Sequence, residues 1–591
     1  MKSGTKYLRR DNPWMREVFR YRGQFPGPTL EARSGDTIII EVQNEMQDEG
    51  VAIHWHGLRM EGANDMDGAV GITQNPIPPS SEFTYKFRIA DNQAGTFWYH
   101  SHSGIQRADG LYGGLIVHKP HAKSTSDPVK YQYEEEGLLL IGDWYHRPAT
   151  EVEQSYANHE SWGREPVPDS LLINGFGAFN CSMAVPSRPL DCVEISAPGL
   201  KLRHTRTRLR VVNAGGLSGF VLSTPDCHVA MFQVDGGNEI EESPKSSSIG
   251  ILYPGERIDL ILECDATSQP AGYPLTITLD AENFAIQNKA LTLTHHFSMS
   301  PSPNTLSQRG HPYVPPSIEK GEGFFDLATA KGAVIRENTI QDVANQTILL
   351  YTKMEILARL GNVPVGIVNR TTWSPQTLPS QPLVALSRAY WNSNQLVPFI
   401  PLSREPSNTT WVDIVVNNLD EKGHPFHLHG YDFYILSQYY PTVRGYHAYN
   451  PFSYSTLASS PSPPGGPYNL FGTDNAFLTY VAGYCTSTDF TPATTTAVTS
   501  VSTPGTTGFG PTTQVTSINP GGPVISVTSL QFSITSALTT AAPSITSTPT
   551  PTTIVPAGIA ASSTAKAEGT GSRDVSLLSI LGSIFAALLA F

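Results

Sequence analysis

Several stretches of the chain alternate apolar and polar residues with a period of two. The run Phe83-Thr-Tyr-Lys-Phe-Arg-Ile89 is a clear example, and this alternation is typical of a half-buried β-strand. A second pattern, an apolar run that ends at asparagine, occurs at residues 37–44, 207–213 and 411–417. One copy in each part of the chain indicates a weak internal repeat, and it predicts three related β-sandwich domains.

The predicted domains follow this repeat. We place the first at residues 1–122, the second at 130–298 and the third, which we expect to be incomplete, at 320–485. The 591 residues have room for three or four domains. The 47 prolines and 50 glycines favour turn-rich β structure over helix bundles. The sequence therefore predicts an all-β chain.

The C-terminal part has a different composition. Residues 486–568 are dominated by Thr, Ser, Pro, Gly and Ala with little charge, which predicts a disordered, O-glycosylated stalk. Residues 569–591 end in an apolar run that is short for a transmembrane helix. Small residues, a polar spacer and that run match a glycosylphosphatidylinositol (GPI) attachment signal. We therefore expect a cell-surface or cell-wall protein with no membrane attachment other than this lipid anchor.

The other end of the chain does not carry the matching signal. The first ten residues, Met-Lys-Ser-Gly-Thr-Lys-Tyr-Leu-Arg-Arg, contain no apolar core, so no secretory signal peptide is predicted. GPI attachment requires entry into the secretory route, and a missing upstream exon would reconcile the two ends. Four Asn-x-Ser/Thr sequons mildly favour secretion; they begin at Asn180, Asn345, Asn369 and Asn408.

Charge and cysteine content narrow the class of protein. The formal net charge of -13 gives no indication of nucleic-acid binding. Four of the five cysteines fall in the second predicted domain, at Cys181, Cys192, Cys227 and Cys264. They allow three disulfide pairings between which the sequence cannot choose. Cys485 is left over.

Histidine pairs are the strongest chemical signal. Random placement of the 17 histidines would give about 0.5 His-x-His pairs, whereas the sequence has three. They are His54/His56, His100/His102 and His427/His429, and His424 lies just before the last pair. On a strand, both imidazoles of such a pair lie on one face, so Trp55 is expected to point into the core. Neutral imidazole is a good ligand for copper and zinc.

With these motifs the chain resembles the multicopper oxidases, in particular the laccase-like enzymes of ascomycete fungi. The resemblance covers about residues 20–470. Further matching segments are Gly23-Gln-Phe-Pro-Gly-Pro-Thr29, Met66-Asp67-Gly68, Asp109-Gly110-Leu111, Pro168-Asp-Ser-Leu-Leu-Ile-Asn-Gly175, Pro254-Gly-Glu-Arg-Ile-Asp259 and Pro464-Gly-Gly-Pro-Tyr468. The resemblance implies three cupredoxin-like Greek-key β-sandwiches and a copper cofactor.

The family also implies a ligand set. In the family, a mononuclear type 1 copper accepts electrons and passes them to a trinuclear cluster of one type 2 and two type 3 coppers, where dioxygen is reduced. Transferred residue by residue, His54 and His427 resemble type 2 ligands. His424 resembles a type 1 ligand. Four residues resemble type 3 ligands: His56, His100, His102 and His429.

One family motif is not found in this sequence. The family's fourth motif, His-Cys-His followed by another His, supplies the type 1 cysteine and further histidines. Here the last histidine is His447, and Cys485 has no histidine beside it. The resemblance therefore implies an incomplete type 1 site and one lost ligand at each type 3 copper. We also expect the closing strands to be missing and the third sheet to have an unpaired edge.

Three functions remain open. The first is a laccase-like oxidase, expected to be a monomer, that couples oxidation of phenolic or aromatic substrates, including pigment or polyketide precursors, to reduction of O2 to water. The second is a ferroxidase, which needs carboxylates beside the type 1 site. The third is a catalytically impaired copper-binding or structural surface glycoprotein. A zinc hydrolase is disfavoured, because no positioned carboxylate base accompanies the histidines.

Overall fold

The computed structural model describes most of the three domains. The described residues are 20–21, 24–120, 127–183, 200–202, 204–264, 273–286, 288–300, 323–333, 344, 346–369, 372–392, 395, 410–420, 423–438, 477–483 and 524–533. Strands dominate them, and the longest helix has eight residues. The prediction of an all-β chain is confirmed.

The first domain contains seven strands of the N-terminal region. They are β1 Arg20–Tyr21, β2 Gly27–Arg33, β3 Thr37–Asn44, β4 Ile53–His56, β5 Ser81–Arg88, β6 Gly95–Ser101 and β7 Tyr112–His118. One sheet has the order β2-β7-β6-β4, and β3 and β5 belong to the other. Along β5, Tyr85 and Phe87 are buried and the residues between and beside them are exposed, as the sequence pattern predicts. The apolar core lies between the sheets and contains Trp55, Tyr85 and Phe97.

The second domain is the largest. Its helices and strands are α1 Asp127–Tyr131, β8 Glu135–Trp144, α2 Ala149–Tyr156, β9 Ser170–Ile173, β10 Phe176–Ala178, β11 Leu200–Lys201, β12 Arg206–Asn213, β13 Phe220–Ser223, β14 Cys227–Val234, β15 Asn238–Glu239, β16 Ser248–Leu252, β17 Arg257–Cys264, β18 Tyr273–Leu279, β19 Thr294–Ser300 and β20 Phe324–Asp326. They form sheets of order β10-β9-β8-β12-β17-β14-β15 and β11-β19-β18-β13-β16-β20. The strand that includes residues 207–213 is central and buried.

The third domain is described as one five-stranded sheet. Its strands are β21 Gln346–Ile356, β22 Pro364–Val368, β23 Thr410–Asn418, β24 Phe433–Gln438 and β25 Phe477–Gly483, in the order β22-β21-β23-β25-β24. The expected unpaired edge is wrong for β23, because β25 pairs with it in antiparallel register. The run Phe-Leu-Thr-Tyr-Val-Ala-Gly has strand-favouring residues, and it follows the break in the family pattern.

Short helical turns and one further strand complete the described structure. The 3₁₀ turns are Asn64–Met66, His159–Ser161, Cys181–Met183, Leu327–Thr329, Ala358–Leu360, Leu383–Ala385 and Arg388–Tyr390. Within the predicted stalk, β26 Val524–Ser533 pairs in parallel with β3. This strand departs from the expected disorder, and its β-branched residues favour an extended backbone. The other stalk residues, the apolar end and Cys485 lie outside the described residues.

The first two domains share a buried interface. Phe25, Trp98 and Tyr112 of the first domain pack with residues of the second domain, including Trp144 and Val212. This apolar contact places strand β6, which carries His100, directly against the second domain.

A polar network crosses the same interface. The Thr96 hydroxyl on β6 donates to Asp259 Oδ1 at 2.5 Å, and Arg208 and Arg210 donate to Oδ2 of the same carboxylate. Asp259 and both arginines are at most 2% exposed. The satisfied carboxylate therefore fixes the position of β6 relative to the second domain.

The structure settles two smaller sequence questions. Cys227 and Cys264 form a disulfide between adjacent strands, and Cys181 is also disulfide-bonded. His295 is buried and the neighbouring His296 is exposed, as expected of adjacent strand residues. In the described part of the chain, no helix is long and apolar enough to cross a membrane.

Candidate metal centre

Two antiparallel strands of the first domain bring three of the predicted histidines to one face. On β4 and β6, His54 lies directly opposite His100, and directly opposed residues share a face of a sheet. His56 shares that face by the period-two rule. Trp55 points to the other side and packs on Tyr85 and Phe87, with ring centroids 5.4 and 5.3 Å away. The prediction for Trp55 is confirmed.

His102 lies one residue beyond the end of β6. Its backbone N–H donates to Ala52 O at 2.8 Å, which holds the segment beside β4. Its ring centroid is 5.6 Å from that of His54. The four predicted ligands of the first domain therefore belong to one group.

The third domain contributes the remaining members through the loop of residues 423–430. This loop connects β23 to β24 and has no regular secondary structure. The His427 ring stacks on His56 with centroids 3.6 Å apart, and the His429 ring stacks on His54 at 3.8 Å. Six histidines from two domains thus meet in one cluster, although His54 and His427 are 373 residues apart in sequence.

Two pairs of ring nitrogens in this histidine cluster are in contact. His54 Nε2 lies 3.3 Å from His427 Nε2, and His56 Nδ1 lies 3.4 Å from His100 Nε2. His429 Nε2 is buried and has no hydrogen-bond partner, and leaving such a group unpaired is costly. Converging lone pairs and an unpaired buried nitrogen are what a site built for metal ions is expected to show.

Asp67 supports the cluster from behind. Its Oδ2 lies 2.7 Å from His429 Nδ1, and its backbone carbonyl lies 2.9 Å from His54 Nδ1. Both contacts place the proton on Nδ1 and leave Nε2 free to bind a metal ion. Desolvation raises the pKa of the Asp67 carboxyl, but the neighbouring His429 and His54 hold it well below its usual range.

The surroundings keep five imidazoles of the cluster neutral. Burial, followed by the charge of neighbouring groups, holds the pKa of four histidines well below the ordinary value: His56, His100, His102 and His427. Burial also lowers the pKa of His429. The neighbouring groups include two arginines, Arg107 beside His100 and Arg257 beside His56. Neutral imidazoles have the lone pair that a metal ion requires.

His424 is separate from this cluster. Its Nε2 lies 2.7 Å from Asp420 Oδ2, and it does not belong to the groups of donor atoms found within 4.8 Å of one another. The backbone N–H of Met354 donates to the same carboxylate. His424 therefore has its own polar environment in the third domain.

Several residues near the cluster were not assigned roles from the sequence. Asp67 was noted only as part of a matching segment, and its place in Met66-Asp67-Gly68 was the available signal. Arg257 comes close only through tertiary structure, whereas Arg107 and Asp420 lie five and four residues from His102 and His424 in the sequence. No carboxylate base was expected beside the histidines, and the Asp67 carboxylate lies there. Its Oδ2 faces the outer Nδ1 atom of His429 rather than the centre of the cluster, so it orients a ligand.

Comparison with known proteins identifies the family. Sequence profiles described as multicopper oxidase match residues 4–122, 135–296 and 380–462. Laccase-1 from Cryptococcus neoformans var. grubii is 38% identical over 264 residues, which are 44% of this chain and 40% of that protein. L-ascorbate oxidase from Cucumis sativus is 30% identical over 466 residues, 71% of this chain and 74% of that protein.

The fold agrees with a solved structure. The crystal structure of Fet3p, a multicopper oxidase that functions in iron import, matches with a TM-score of 0.62 and 23% identity, and the match covers 81% of this chain and 83% of that one. The predicted architecture of three cupredoxin-like domains is thereby confirmed. The chain belongs to the multicopper oxidase family of oxidoreductases, and it is similar to the family's fungal laccases.

Proposed function

We propose that this protein is a laccase-like oxidase that couples one-electron oxidation of phenolic or aromatic substrates to the four-electron reduction of O2 to water. The observation that carries the proposal is the convergence of six buried or half-buried imidazoles from two domains. Dioxygen reduction requires several electrons at one place, and few other chemistries need so many histidines together.

The histidines would hold copper in three pairs. Ring nitrogens of His54 and His427 lie 3.3 Å apart and those of His56 and His100 lie 3.4 Å apart, close enough for each pair to hold one ion. His102 and His429, with ring centroids 5.0 Å apart, are the third pair. This supports the assignment of His54 and His427 to type 2 copper and of the other four to type 3 copper.

The protein's own groups prepare this site. Copper, when bound, supplies reversible one-electron oxidation and reduction, and imidazole binds both of its oxidation states. Burial lowers the pKa of five of the ligands, and Asp67 fixes the orientation of the His54 and His429 rings. Second-domain residues 254–257 cover the His56 side of the cluster, where Gly255 leaves room beside the His56 ring.

A cavity of the second domain is a candidate substrate site. It has a volume of about 310 Å³ and is lined mostly by polar and charged residues, including Arg164, Glu165 and the Tyr156 hydroxyl-bearing ring. Burial raises the pKa of Tyr156, and the charges of Glu165 and Asp420 raise it further. Asp420 also contacts His424, so it connects the cavity electrostatically to the proposed type 1 ligand.

Oxygen uptake with a simple phenol tests the proposal. The copper-loaded protein is expected to consume one O2 for four phenols without releasing hydrogen peroxide. His54→Ala should abolish this activity, because His54 contacts both His427 and His429. His159→Ala, which changes a histidine in an exposed turn, should leave it unchanged. Equal activity of wild type and His54→Ala would contradict the proposal.

Iron(II) oxidation is a second candidate, because the structure places carboxylates near His424. Asp420 lies 2.7 Å from His424, and Glu160 and Glu165 line the adjacent cavity. Carboxylate oxygens suit hard divalent metal ions better than they suit phenols. A ferroxidase should oxidise iron(II) faster than phenols, and Glu165→Gln should reduce only the iron activity.

A third candidate is a copper-binding or structural glycoprotein without turnover, and the residues around Cys485 favour it. A type 1 site needs a cysteine thiolate with histidines, and His447 is the last histidine in the sequence. Sequencing of the transcript across codons 440–490 separates the candidates. A message that encodes His-Cys-His favours the complete oxidase, and a message that matches this sequence favours the glycoprotein.

The proposed location is the cell surface or cell wall. The Ser/Thr/Pro-rich composition of residues 486–568 and the apolar run of residues 569–591 support a glycosylated stalk with a GPI anchor. Release of the protein by a phosphatidylinositol-specific phospholipase would test the anchor. We also propose that the protein acts as a monomer.

A further inference from the structure

An ion pair joins the first and third domains close to the histidine cluster. Arg59 Nε donates to Asp432 Oδ2 at 2.9 Å, and Arg59 Nη2 contacts the same oxygen. Arg59 lies three residues after His56, and Asp432 lies three residues after His429. The pair therefore connects the two chain segments that bring first-domain and third-domain histidines together.

Residues of the first domain also hold Arg59 in place. Its Nη1 donates to Asn92 Oδ1 at 3.0 Å, and its backbone N–H donates to Gln93 Oε1 at 3.1 Å. Gln93 is buried, and its amide donates to Gly57 O at 2.9 Å. A guanidinium that is fixed in this way loses less conformational freedom when it binds a carboxylate.

Further hydrogen bonds between the first and third domains join residues 71–75 to residues 380–384. Leu383 N–H donates to Gly71 O at 3.1 Å and Val384 N–H donates to Ile72 O at 2.9 Å. The Asn75 amide donates to Ser380 O at 2.7 Å. These bonds dock the third domain through residues 380–384, which are far in sequence from the loop of residues 423–430. That loop has its own attachments in Asp432 and in the His429–Asp67 contact.

We propose that the Arg59–Asp432 ion pair is an interdomain latch that holds His427 and His429 in position for metal binding. The inference rests on the proposed copper function of the cluster. Both side chains are partly exposed, with 27% and 34% of their surface accessible, so the pair contributes little to global stability. Its effect falls on the loop, and Arg59 and Asp432 are positioning residues rather than ligands.

The latch makes a site-specific prediction. The pairs His54–His427 and His102–His429 take one ligand from each domain, whereas His56 and His100 both lie on first-domain strands. Breaking the latch should weaken copper(II) binding by about fivefold at each of the two interdomain sites, the factor that an ion pair of this exposure supplies. The site within the first domain should keep its affinity.

A double-mutant cycle on the full chain tests this prediction. Copper(II) is titrated against a competing chelator for wild type, Arg59→Gln, Asp432→Asn and the double variant, and elemental analysis counts the bound copper ions. The double variant should bind no more weakly than either single variant, because the two residues act through one contact. Arg88→Gln, which breaks the exposed Arg88–Asp91 pair within the first domain, is the matched control and should bind like wild type.

The dependence of copper(II) affinity on ionic strength provides a second measurement. A purely structural role of the two residues would not produce this dependence. Raising the ionic strength from about 0.01 M to about 1 M shortens the Debye length from about 30 Å to about 3 Å. Wild-type affinity at the interdomain sites should fall towards that of Asp432→Asn, whose affinity should stay nearly constant. Additive effects in the cycle, or equal salt dependence of both proteins, would overturn the latch while leaving the copper site intact. A wild type that binds no copper would overturn both proposals.

Discussion

The two sides of the histidine cluster are built differently. On the first-domain side, His54, His56 and His100 lie on paired strands whose ladder fixes their spacing. On the third-domain side, His427 and His429 lie on a loop without regular structure. The ladder needs no further help to present its imidazoles on one face. The loop depends on individual polar contacts, so we expect changes around the loop to affect metal binding more than they affect folding.

On the strand side, a change in the polar network around Asp259 should affect folding. Asp259→Asn removes the buried carboxylate that Arg208 and Arg210 share and weakens the bond to Thr96 on β6. Removing one partner of a buried ion pair costs about 3–5 kcal/mol. Asp127 and Glu136 remain as partners of the two arginines, so we expect the free energy of unfolding to fall by about 2–3 kcal/mol. Urea unfolding measures this change. Asp226→Asn, at an exposed turn position, should stay within about 0.5 kcal/mol of wild type, and an equally small loss for Asp259→Asn would contradict the account.

On the loop side, a change at Asp67 should affect metal binding more than it affects folding. Asp67→Asn removes the charge that orients His429 and contacts His54, and loss of such a partner lowers metal affinity about 10–100-fold. Chelator competition with copper(II) measures this loss, which should exceed any change in the unfolding midpoint. Asp65→Asn, at an exposed position of the turn that precedes Asp67, is the control. Unchanged copper affinity in Asp67→Asn would show that His429 is positioned without the carboxylate.

The same contrast explains what the sequence could predict. Period-two alternation predicted the buried positions of β5, the inward direction of Trp55 and the common face of His54 and His56. No periodic pattern describes residues 423–430, so the stacking of His427 on His56 depended on how the domains dock. The roles of Arg59 and Arg257 depend on the same docking. The strand Phe477–Gly483 was missed because the family pattern had ended before it.

Glu256, in the second-domain loop of residues 254–257, should make the free energy of unfolding depend on pH. Burial, with the nearby Asp235 charge, raises the pKa of Glu256 to about 8, against about 4.3 in an unfolded chain. Between these values the folded protein keeps a proton that the unfolded chain releases, so stability falls as the pH rises towards 8. Glu256→Gln removes this dependence and should be more stable than wild type by about 1–3 kcal/mol at pH 8.

The comparison for Glu256→Gln requires two pH values. Near pH 4, wild type and Glu256→Gln should have the same free energy of unfolding. Glu242→Gln, which changes an exposed glutamate, is the control and should match wild type at both pH values. Urea unfolding at about pH 4 and pH 8 measures the difference. Parallel stability curves for wild type and Glu256→Gln would show that Glu256 ionises normally in the folded protein.

The smallest effect on the cluster is expected at His424. This residue contacts Asp420 and belongs to the electron-entry side of the proposed mechanism. His424→Ala should change copper affinity at the six-histidine cluster by less than about twofold, because sites without shared partners act independently. A large loss of cluster copper would place His424 among its ligands.

The central claim is that six histidines from the first and third domains hold copper. Anomalous diffraction at the copper edge, on crystals of copper-loaded protein, locates the metal directly. The account predicts anomalous peaks between His54 and His427, between His56 and His100, and beside His102 and His429. Copper bound elsewhere on the chain, with none among these imidazoles, would contradict it.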